Sequence, residues 1–451
     1  MAAITGMGAV TPIGVGVPAF AASLRAGVSG TRLLKWTHHR VKARVAATCP
    51  DFDPRTVMTD ADIARFPKLI PMALAAAREA CAQAGLLGTT RLIDPTHQLL
   101  DTTQLDPTRV DPTRVAVILG TGAGGIDFTL DQVGALHHDR KMSLWSITNA
   151  THGNLAGELS IRLGAKGPSL CVSTGCASAS DAVGLAKDLL SSPRPGAPDV
   201  VVVVGADAHV RWETVAGMEL LGVIATRPCT TQAEAARASR PFCSTRDGFV
   251  LGEGAWAIVL ERAPARLQVL NANRKPTRII GHVRGYGATC DAFHRVRPEP
   301  DMRESTRAMQ LALEDAAIAP EAVGVIHYHG TATAINDALE TLAVKNALGA
   351  HAVKVRGHSV KSMIGHPQGA SGLAAIVSTL AGLSGADGGK PFIFPTINLD
   401  SCDLACDLDY TPNHAANADA SRDRFALINC LAFGAKNSAL VLEVGDVNEP
   451  M

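Results

Sequence analysis

The chain has 451 residues, 47% of them hydrophobic and 19% charged, so it can bury a substantial core in two or three structural units. Its 42 basic residues balance 42 acidic ones, which argues against a nucleic-acid-binding protein because such proteins usually carry a basic surplus. The longest apolar runs, at 200–205 and 373–383, are much shorter than the roughly 20 residues that cross a bilayer.

Targeting and redox signals are consistent with this picture. A secretory signal carries Lys or Arg ahead of its apolar segment, and residues 1–14 contain neither residue type. The ten cysteines are spread over the chain without close pairing, which predicts free thiols in a reducing compartment. We therefore expect a cytoplasmic protein that is not held in a membrane.

Apolar strand-like runs alternate with alanine-rich helical stretches, which predicts an α/β architecture. In chain order, the predicted elements are strands at 115–120, 170–173 and 200–205, a helix at 176–190, strands at 323–329 and 354–359, a helix at 371–383, and strands at 425–429 and 438–444. The same strand–small-residue–helix theme thus appears in both halves. We place the halves at 1–265 and 266–451, with the junction at 261–278.

One stretch looks irregular from its composition. Residues 94–114 are rich in Asp, Pro and Thr and contain the pentapeptide DPTRV twice in tandem. This composition predicts a surface loop.

The segment VSTGCASASDAVG places Cys176 between a predicted strand and a predicted helix. Gly175 permits an unusual backbone angle at such a turn, and the small residues after Cys176 allow close backbone approach. A cysteine at a helix N-terminus is expected to have a lowered thiol pKa. The alternative is one more buried structural cysteine among ten.

Two histidines lie in glycine-bracketed turns. His329 ends a predicted strand in HGTATAINDALE, and His366 lies in KSMIGHPQGASG ahead of an apolar helix. A single histidine at a strand end is usually structural, but two of them together with Cys176 favour a shared catalytic cavity.

Five motifs of the chain resemble those of a single protein family. The segments VSTGCASASDAVG, SRPFCSTRDGFVLGEGA, HGTATAINDALE, KSMIGHPQGASG and FPTINLDSCDLACDLDY resemble, in order, the signature of the β-ketoacyl-acyl-carrier-protein synthase II family. The likeness runs from residue 4 to residue 444. It implies the thiolase fold, an α/β fold in which two related halves form a five-layered αβαβα core.

The resemblance also implies a reaction. Cys176 would accept an acyl chain, and His329 and His366 would stabilise the enolate formed when malonyl-carrier protein loses CO₂. The backbone N–H groups of Cys176 and Phe433 would form the oxyanion hole. Phe433 would also gate the site, although Ala432 and Ala435 replace two glycines that the family usually has there.

Other residues are assigned through the same resemblance. Thr331 and Thr333 match threonines that contact the pantetheine arm, with plain turn hydroxyls as the alternative. Lys361 and Glu340 match a Lys–Glu pair, which we interpret as an ion pair supporting the active-site loops, and Asp337 fits the same supporting role.

Substitutions relative to the family suggest an unusual acyl chain. Ala123 and Ser146 are smaller than the residues that border the acyl tail in fatty-acid-making relatives, and Val296 stands where a Thr is common. These changes favour a specialised polyketide or polyene pathway over housekeeping fatty acid synthesis.

The resemblance also implies partners and excludes cofactors. Arg65 and Lys68 match a helix that docks the acyl carrier protein, with ordinary solvated charges as the alternative. The expected assembly is a homodimer, or a heterodimer with a ketosynthase-like chain-length factor. No metal or organic cofactor is expected, because the phosphopantetheine arrives on the carrier protein.

Two other readings remain open from the sequence. The chain could be a partner subunit that only shapes the pocket, although such subunits lack the cysteine. It could instead be a non-condensing thiolase-like acyltransferase in which Cys430 acts as the base, but the two histidines fit decarboxylating condensation better.

Overall fold

The computed structural model describes residues 2–36, 38–93, 99–262 and 278–445. Its strands, β1 to β17 in chain order, are Ala2–Thr11, Gly14–Val15, Thr31–Leu33, Val45–Ala47, Leu87–Ile93, Leu99–Leu105, Val115–Gly120, Ser169–Val172, Val200–Asp207, Gly254–Arg262, Gly281–Cys290, Val323–His327, Arg356–His358, Phe392–Ile393, Ala416–Asn417, Phe425–Ala432 and Lys436–Val444. Its α-helices are Val17–Ala26, Asp60–Ile63, Leu69–Gln83, Ile126–His137, Ser146–Ala150, His152–Leu163, Ser178–Ser191, Trp212–Leu220, Gln232–Ala236, Arg303–Ala316, Asn336–Leu348, Lys361–Ile364 and Ser371–Leu383.

The main sheet contains the same topology twice. One five-stranded set runs β8-β7-β9-β10-β1 and the other β13-β12-β16-β17-β11. In each set the first three strands are parallel and the last two pair antiparallel. The sets meet where residues 2–4 of β1 pair with residues 281–283 of β11.

Helices cover both faces of each set. Ser178–Ser191 and Ser371–Leu383 pack together between the two sets, where all of Ser371–Leu383 and the small residues that begin Ser178–Ser191 are buried. Leu69–Gln83 and His152–Leu163 cover the outer face of the first set. Arg303–Ala316 and Asn336–Leu348 cover the outer face of the second. The result is five layers in the order αβαβα.

The valine-rich strand β9 shows how the sequence produces these layers. Successive side chains of a strand point to opposite faces. Val201 and Val203 accordingly pack into the central layer, and Val200, Val202 and Val204 pack under the outer helices. A strand buried on both faces is expected to read as a continuous apolar run, as residues 200–204 do.

The predicted α/β architecture and most predicted elements are confirmed. The helix at 371–383 and the strand at 115–120 have the predicted bounds, and the other predicted strands differ by a few residues at their ends. Within the described residues, no helix is long and apolar enough to cross a membrane.

The predicted loop at 94–114 is wrong in part. Leu99–Leu105 pairs antiparallel with Leu87–Ile93 in a two-stranded sheet. The tandem repeat behind it does form turns, since Asp106 and Asp111 each accept the backbone N–H two residues ahead at 2.9 Å. The polar composition therefore predicted the turns correctly, but it gave no indication of the strand Leu99–Leu105. Residues 94–98 and most of the predicted junction, 263–277, lie outside the described residues.

Candidate active site

Cys176 lies in a tight turn between β8 and the central helix Ser178–Ser191. Gly175 has φ 69°, and a side chain there would meet the carbonyl oxygen of Phe433 at 3.3 Å, so glycine is required at this position. Ser178 closes the turn, because its hydroxyl donates to the carbonyl of Gly175 and accepts the N–H of Thr174. Cys176 is 4% exposed.

His329 follows β12 in a loop held by one carboxylate. Glu340, on the helix Asn336–Leu348, accepts the backbone N–H of His329 at 2.5 Å and that of Gly330 at 2.8 Å. Because these N–H groups bind Glu340 rather than a neighbouring strand, β12 ends at His327 instead of at the predicted residue 329.

His366 is fixed by backbone and ring contacts. Its N–H donates to the carbonyl of Val250 at 2.7 Å, and its own carbonyl accepts from Gly252. The imidazole Nδ1 lies 3.1 Å from the hydroxyl of Ser371, and the ring meets Phe249 edge-on. Gly365, with φ 65°, allows the chain to turn into this position.

The three predicted catalytic side chains converge. One ring nitrogen of His329, one of His366 and the Sγ of Cys176 all lie within 4.8 Å of one another. The two imidazole rings are nearly perpendicular, with their centroids 5.3 Å apart. Three segments separated by up to 190 residues thus form one cluster, as the sequence predicted.

Both imidazoles are neutral at physiological pH. Burial lowers the pKa of His329 and of His366 well below the usual value, and nearby Lys361 lowers both further. The Nδ1 of His329 lies 3.5 Å from the Lys361 Nζ, which can only donate. The ring proton of His329 is therefore assigned to Nε2, where it is available to a substrate oxygen.

The expected low thiol pKa of Cys176 is wrong. Burial raises the pKa of this thiol to about 11, and it outweighs the opposing effects of Lys361 and of the backbone N–H groups of Phe433 and Cys176. The helix proper starts two residues later, at Ser178, so the helix dipole is less effective than the sequence suggested. The thiol must lose its proton as it attacks, and a neutral histidine can accept it.

The supporting residues act differently from the expectation. Lys361 and Glu340 are both described, yet they form no ion pair; the Lys361 Nζ instead donates to the carbonyl of His329 at 2.7 Å. Glu340 binds the N–H groups of that loop and the side chain of Asn429. Asp337 accepts the N–H groups of Thr331 and Ala332. Lys361, Glu340 and Asp337 each therefore hold backbone groups in place, because a loop that leaves a strand needs hydrogen-bond partners for its N–H and C=O groups.

The loop that carries Phe433 lies against the nucleophile turn. Gly434 and Ala435 both have positive φ, 85° and 62°, so the alanine adopts a conformation that costs about 1 kcal/mol or more relative to glycine. Hydrogen bonds from Gly434 to Arg295 and from Asp291 to Ala435 tie the loop to a neighbouring segment. Phe433 itself is half-buried.

A cavity of about 280 Å³ leads to the cluster. Its lining includes the three catalytic candidates together with Thr331, Thr333, Phe433, Val296, Arg297 and Lys436. Thr331 and Thr333 bond to each other at 3.1 Å and offer hydroxyls to the cavity. Arg297 is exposed at the rim. The sequence analysis did not single out Arg297 or Lys436.

Ala123 and Ser146 are not among the residues that line this cavity. Ala123 is in the Gly-rich turn after β7, and its N–H binds Asp207. Ser146 begins the helix Ser146–Ala150, with its hydroxyl on the carbonyl of Ser143. Their expected contact with an acyl chain stays a prediction.

Lys68 and Arg65, the two residues predicted to dock the carrier protein, differ in whether their charge is already paired within the fold. The Nζ of Lys68 pairs with the buried carboxylate of Glu253 at 2.5 Å, so this lysine is committed to the fold. Arg65 is 55% exposed, with Asp62 at 4.0 Å.

Sequence analysis missed two buried polar residues around the cluster, Asp207 and Gln368. Asp207, at the end of β9, accepts hydrogen bonds from Thr121, Gly122, Ala123 and Gly369. The side chain of Gln368 lies against Cys176. A signal existed for Asp207, because an acid at the end of a buried strand needs hydrogen-bond donors nearby.

Cys430, the base of the thiolase reading, does not line the cavity. Its Sγ lies 3.1 Å from the carbonyl oxygen of Cys176 and 3.7 Å from the Nδ1 of His329. Burial raises its pKa to about 12. This arrangement suits a packing role behind the nucleophile rather than a base.

Two models of one protein family together match most of the chain. The model of the β-ketoacyl synthase N-terminal domain matches residues 2–265, and that of the C-terminal domain matches residues 280–399. The chain belongs to the β-ketoacyl synthase family. A Synechocystis 3-oxoacyl-[acyl-carrier-protein] synthase 2 is 32% identical over 98% of this chain and 97% of its own.

Two solved structures share the fold over nearly all of both chains. One is a type II polyketide synthase ketosynthase in complex with its acyl carrier protein and bound to a hexaketide, with a TM-score of 0.81, 26% identity, and coverage of 98% of this chain and 99% of its own. The other is the ishigamide ketosynthase/chain length factor, with a TM-score of 0.81, 29% identity and coverage of 99% of both chains. The predicted family and thiolase fold are thereby confirmed.

Proposed function

We propose that this chain is a β-ketoacyl-acyl-carrier-protein synthase that lengthens an acyl chain by two carbons in a type II polyketide or fatty acid pathway. The observation that carries the proposal is the cluster of Cys176, His329 and His366 at one cavity, in a chain of this family. Its two half-reactions use the same three side chains.

In the first half-reaction the sulfur of Cys176 attacks the carbonyl carbon of an acyl thioester on the carrier protein. The bond from that carbon to the carrier sulfur breaks, and the proton of the cysteine thiol ends on the carrier thiol. A neutral imidazole within 4.8 Å of the sulfur can relay this proton. The N–H groups of Cys176 and Phe433, which already face the sulfur, would bind the tetrahedral oxyanion.

In the second half-reaction malonyl-carrier protein enters through the same cavity. Its carboxylate leaves as CO₂, and the bonding electrons become an enolate whose carbon attacks the acyl carbon on Cys176. A carbon–carbon bond forms, the bond from carbon to Cys176 sulfur breaks, and the thiolate takes up one proton. The Nε2–H of His329 supports the enolate oxygen, because a neutral donor in a buried site stabilises developing charge strongly.

Partners are proposed on the same grounds. The exposed Arg297 and the half-buried Lys436 give the cavity rim positive charge, which suits the phosphopantetheine of an acidic carrier protein. Strand β8 ends its five-stranded set, with Ser169 and Leu170 exposed. Exposed apolar side chains lie in the preceding segment, at Leu136, Leu144, Trp145, Ile147 and Ile161. An open strand edge beside an apolar patch favours a dimer with a second copy or a chain-length-factor subunit.

We further propose that the enzyme works in the cytoplasm and needs no metal or organic cofactor of its own. All ten cysteines are free thiols, which suits a reducing compartment. The chemistry requires only a thiol, neutral imidazoles and backbone N–H groups. These are all present at the cavity.

The experiment follows ¹⁴CO₂ release from malonyl-carrier protein and product mass. Cys176→Ala should abolish elongation, and His329→Ala should lower CO₂ release by about 10²–10³-fold through loss of one oxyanion donor. His414→Ala, on an exposed loop, is the matched control. Undiminished CO₂ release by folded His329→Ala would refute the proposed role of that imidazole.

A further inference from the structure

Gln368 carries a buried amide that has no complete set of partners. The side chain is 7% exposed, and its Oε1 lies 3.7 Å from the Sγ of Cys176. Its Nε2 has no hydrogen-bond partner among the described residues. A buried donor without a partner costs about 1–3 kcal/mol, so an unused amide beside a nucleophile calls for an explanation.

The backbone at this position is also unusual. Gln368 has φ 47°, in the left-handed region that glycine favours, and it is the first residue of a short 3₁₀ turn, Gln368–Ala370. Strained conformations of this kind persist where the surroundings hold them, often at functional sites. Here Gly369 is held by Asp207 at 2.7 Å, which keeps the amide against Cys176.

Gln368 is close to the sulfur without being part of the cavity lining. It contacts Cys176 yet is absent from the lining of the cavity that leads from Arg297 and Lys436 to the two histidines. Its neighbour Gly369 shares the Asp207 carboxylate with Gly122, one residue before Ala123. The loop of Gln368 is thus linked through the Asp207 carboxylate to the turn that carries Ala123.

Acylation changes what this amide can bind. The free thiol can donate to Oε1, but an acylated sulfur has no hydrogen left to donate. In the acyl-enzyme the thioester oxygen would accept hydrogen bonds from the N–H groups of Cys176 and Phe433. The next oxygen of a polyketide chain is on carbon 3, and it is the first chain atom for which a free amide donor beside the sulfur would matter.

We propose that Gln368 is a specificity residue that donates a hydrogen bond to an oxygen on carbon 3 of the acyl chain attached to Cys176. This inference rests on the proposed function and narrows its substrate class to 3-hydroxy or 3-oxo acyl chains. A fully saturated chain on Cys176 would leave the amide of Gln368 without a hydrogen-bond partner. The site would select against such chains, because a buried polar group that loses its partner penalises the analogue.

The test measures acylation of the full-length enzyme by three synthetic N-acetylcysteamine thioesters, using intact-protein mass spectrometry. The thioesters are hexanoyl, 3-hydroxyhexanoyl and 3-methylhexanoyl, the last having the bulk of the hydroxyl without its hydrogen bonding. The wild-type enzyme should acylate about tenfold faster with the 3-hydroxy than with the 3-methyl thioester. In Gln368→Met, which keeps the length of the side chain without its amide, that ratio should fall to near one.

The outcomes distinguish failure of this inference from failure of the proposed function on which it rests. A wild-type ratio at or below one overturns the inference without any variant. So does an unchanged ratio in Gln368→Met whose thermal unfolding matches that of the wild-type enzyme. If none of the three thioesters modifies Cys176 while a carrier-bound acyl chain also fails, the proposed function itself is refuted.

Discussion

Asp207 is the buried carboxylate that joins two active-site loops, and Asp207→Asn tests its role. Its Oδ1 accepts the hydroxyl of Thr121 at 2.7 Å and the N–H of Ala123 at 3.0 Å. Its Oδ2 accepts the N–H groups of Gly122 at 2.9 Å and Gly369 at 2.7 Å. The Asp207 carboxylate thus connects the turn after β7 to the loop after His366.

The size of the effect follows from what an amide can replace. The asparagine NH₂ can donate to the Thr121 oxygen but cannot accept the N–H of Ala123, which is left without this partner at a cost of about 1–3 kcal/mol. The two bonds at the other oxygen persist but lose the extra strength of a charged acceptor. We therefore expect Asp207→Asn to lower the free energy of unfolding by about 3 kcal/mol.

The assay is urea unfolding followed by fluorescence, with the acylation rate of Cys176 measured on the same samples. Displacement of the Gly369 loop should also slow acylation by about tenfold or more, because small misplacements of reacting groups are costly. Asp188→Asn, on the exposed face of the helix Ser178–Ser191, is the matched control. Stability within about 0.5 kcal/mol of wild type would refute the reasoning, since surface substitutions alone stay within that range.

Three further predictions concern pH, strain and metal. The described imidazoles with strongly lowered pKa values are those of His327, His329, His358 and His366. In the unfolded chain these groups bind protons below about pH 6.5, so the free energy of unfolding should fall as pH drops from 6.5 to 5. Glu340, with its pKa raised to about 7, offsets part of this because its folded state binds the extra proton. Urea unfolding at pH 7 and pH 5 checks the sign, and equal stability would contradict it. Ala435→Gly should stabilise the fold by about 0.5 kcal/mol by relieving its positive φ, and Ala432→Gly, at an ordinary φ, should destabilise it by a similar amount; thermal melts that show the reverse order would refute this. Chelator treatment should leave elongation unchanged and elemental analysis should find far less than one zinc per chain, whereas stoichiometric zinc held by Cys176 would overturn the metal-free mechanism.

The elements that could be predicted from sequence are those with a strong local pattern. The strand β9 begins with five valines and the helix Ser371–Leu383 is mostly aliphatic, so burial on all sides followed directly. The catalytic cluster was predicted because its motifs resemble those of a family whose geometry they share. In both cases the information was contained in short stretches of the chain.

Features that depend on neighbours distant in sequence could not be predicted in the same way. Lys361 binds the carbonyl of His329 rather than Glu340, a choice set by loop geometry. The thiol pKa of Cys176 is dominated by burial, which one segment does not reveal. Asp207 and Gln368 acquire their roles only when the ends of β7 and β9 and the loop after His366 meet.

The most direct test of the account is peptide mapping by mass spectrometry after the enzyme meets an acyl-carrier protein. The account predicts a single acyl adduct on the peptide that contains Cys176, which disappears when malonyl-carrier protein is added. An adduct on Cys430, or one that malonyl-carrier protein does not discharge, would contradict it.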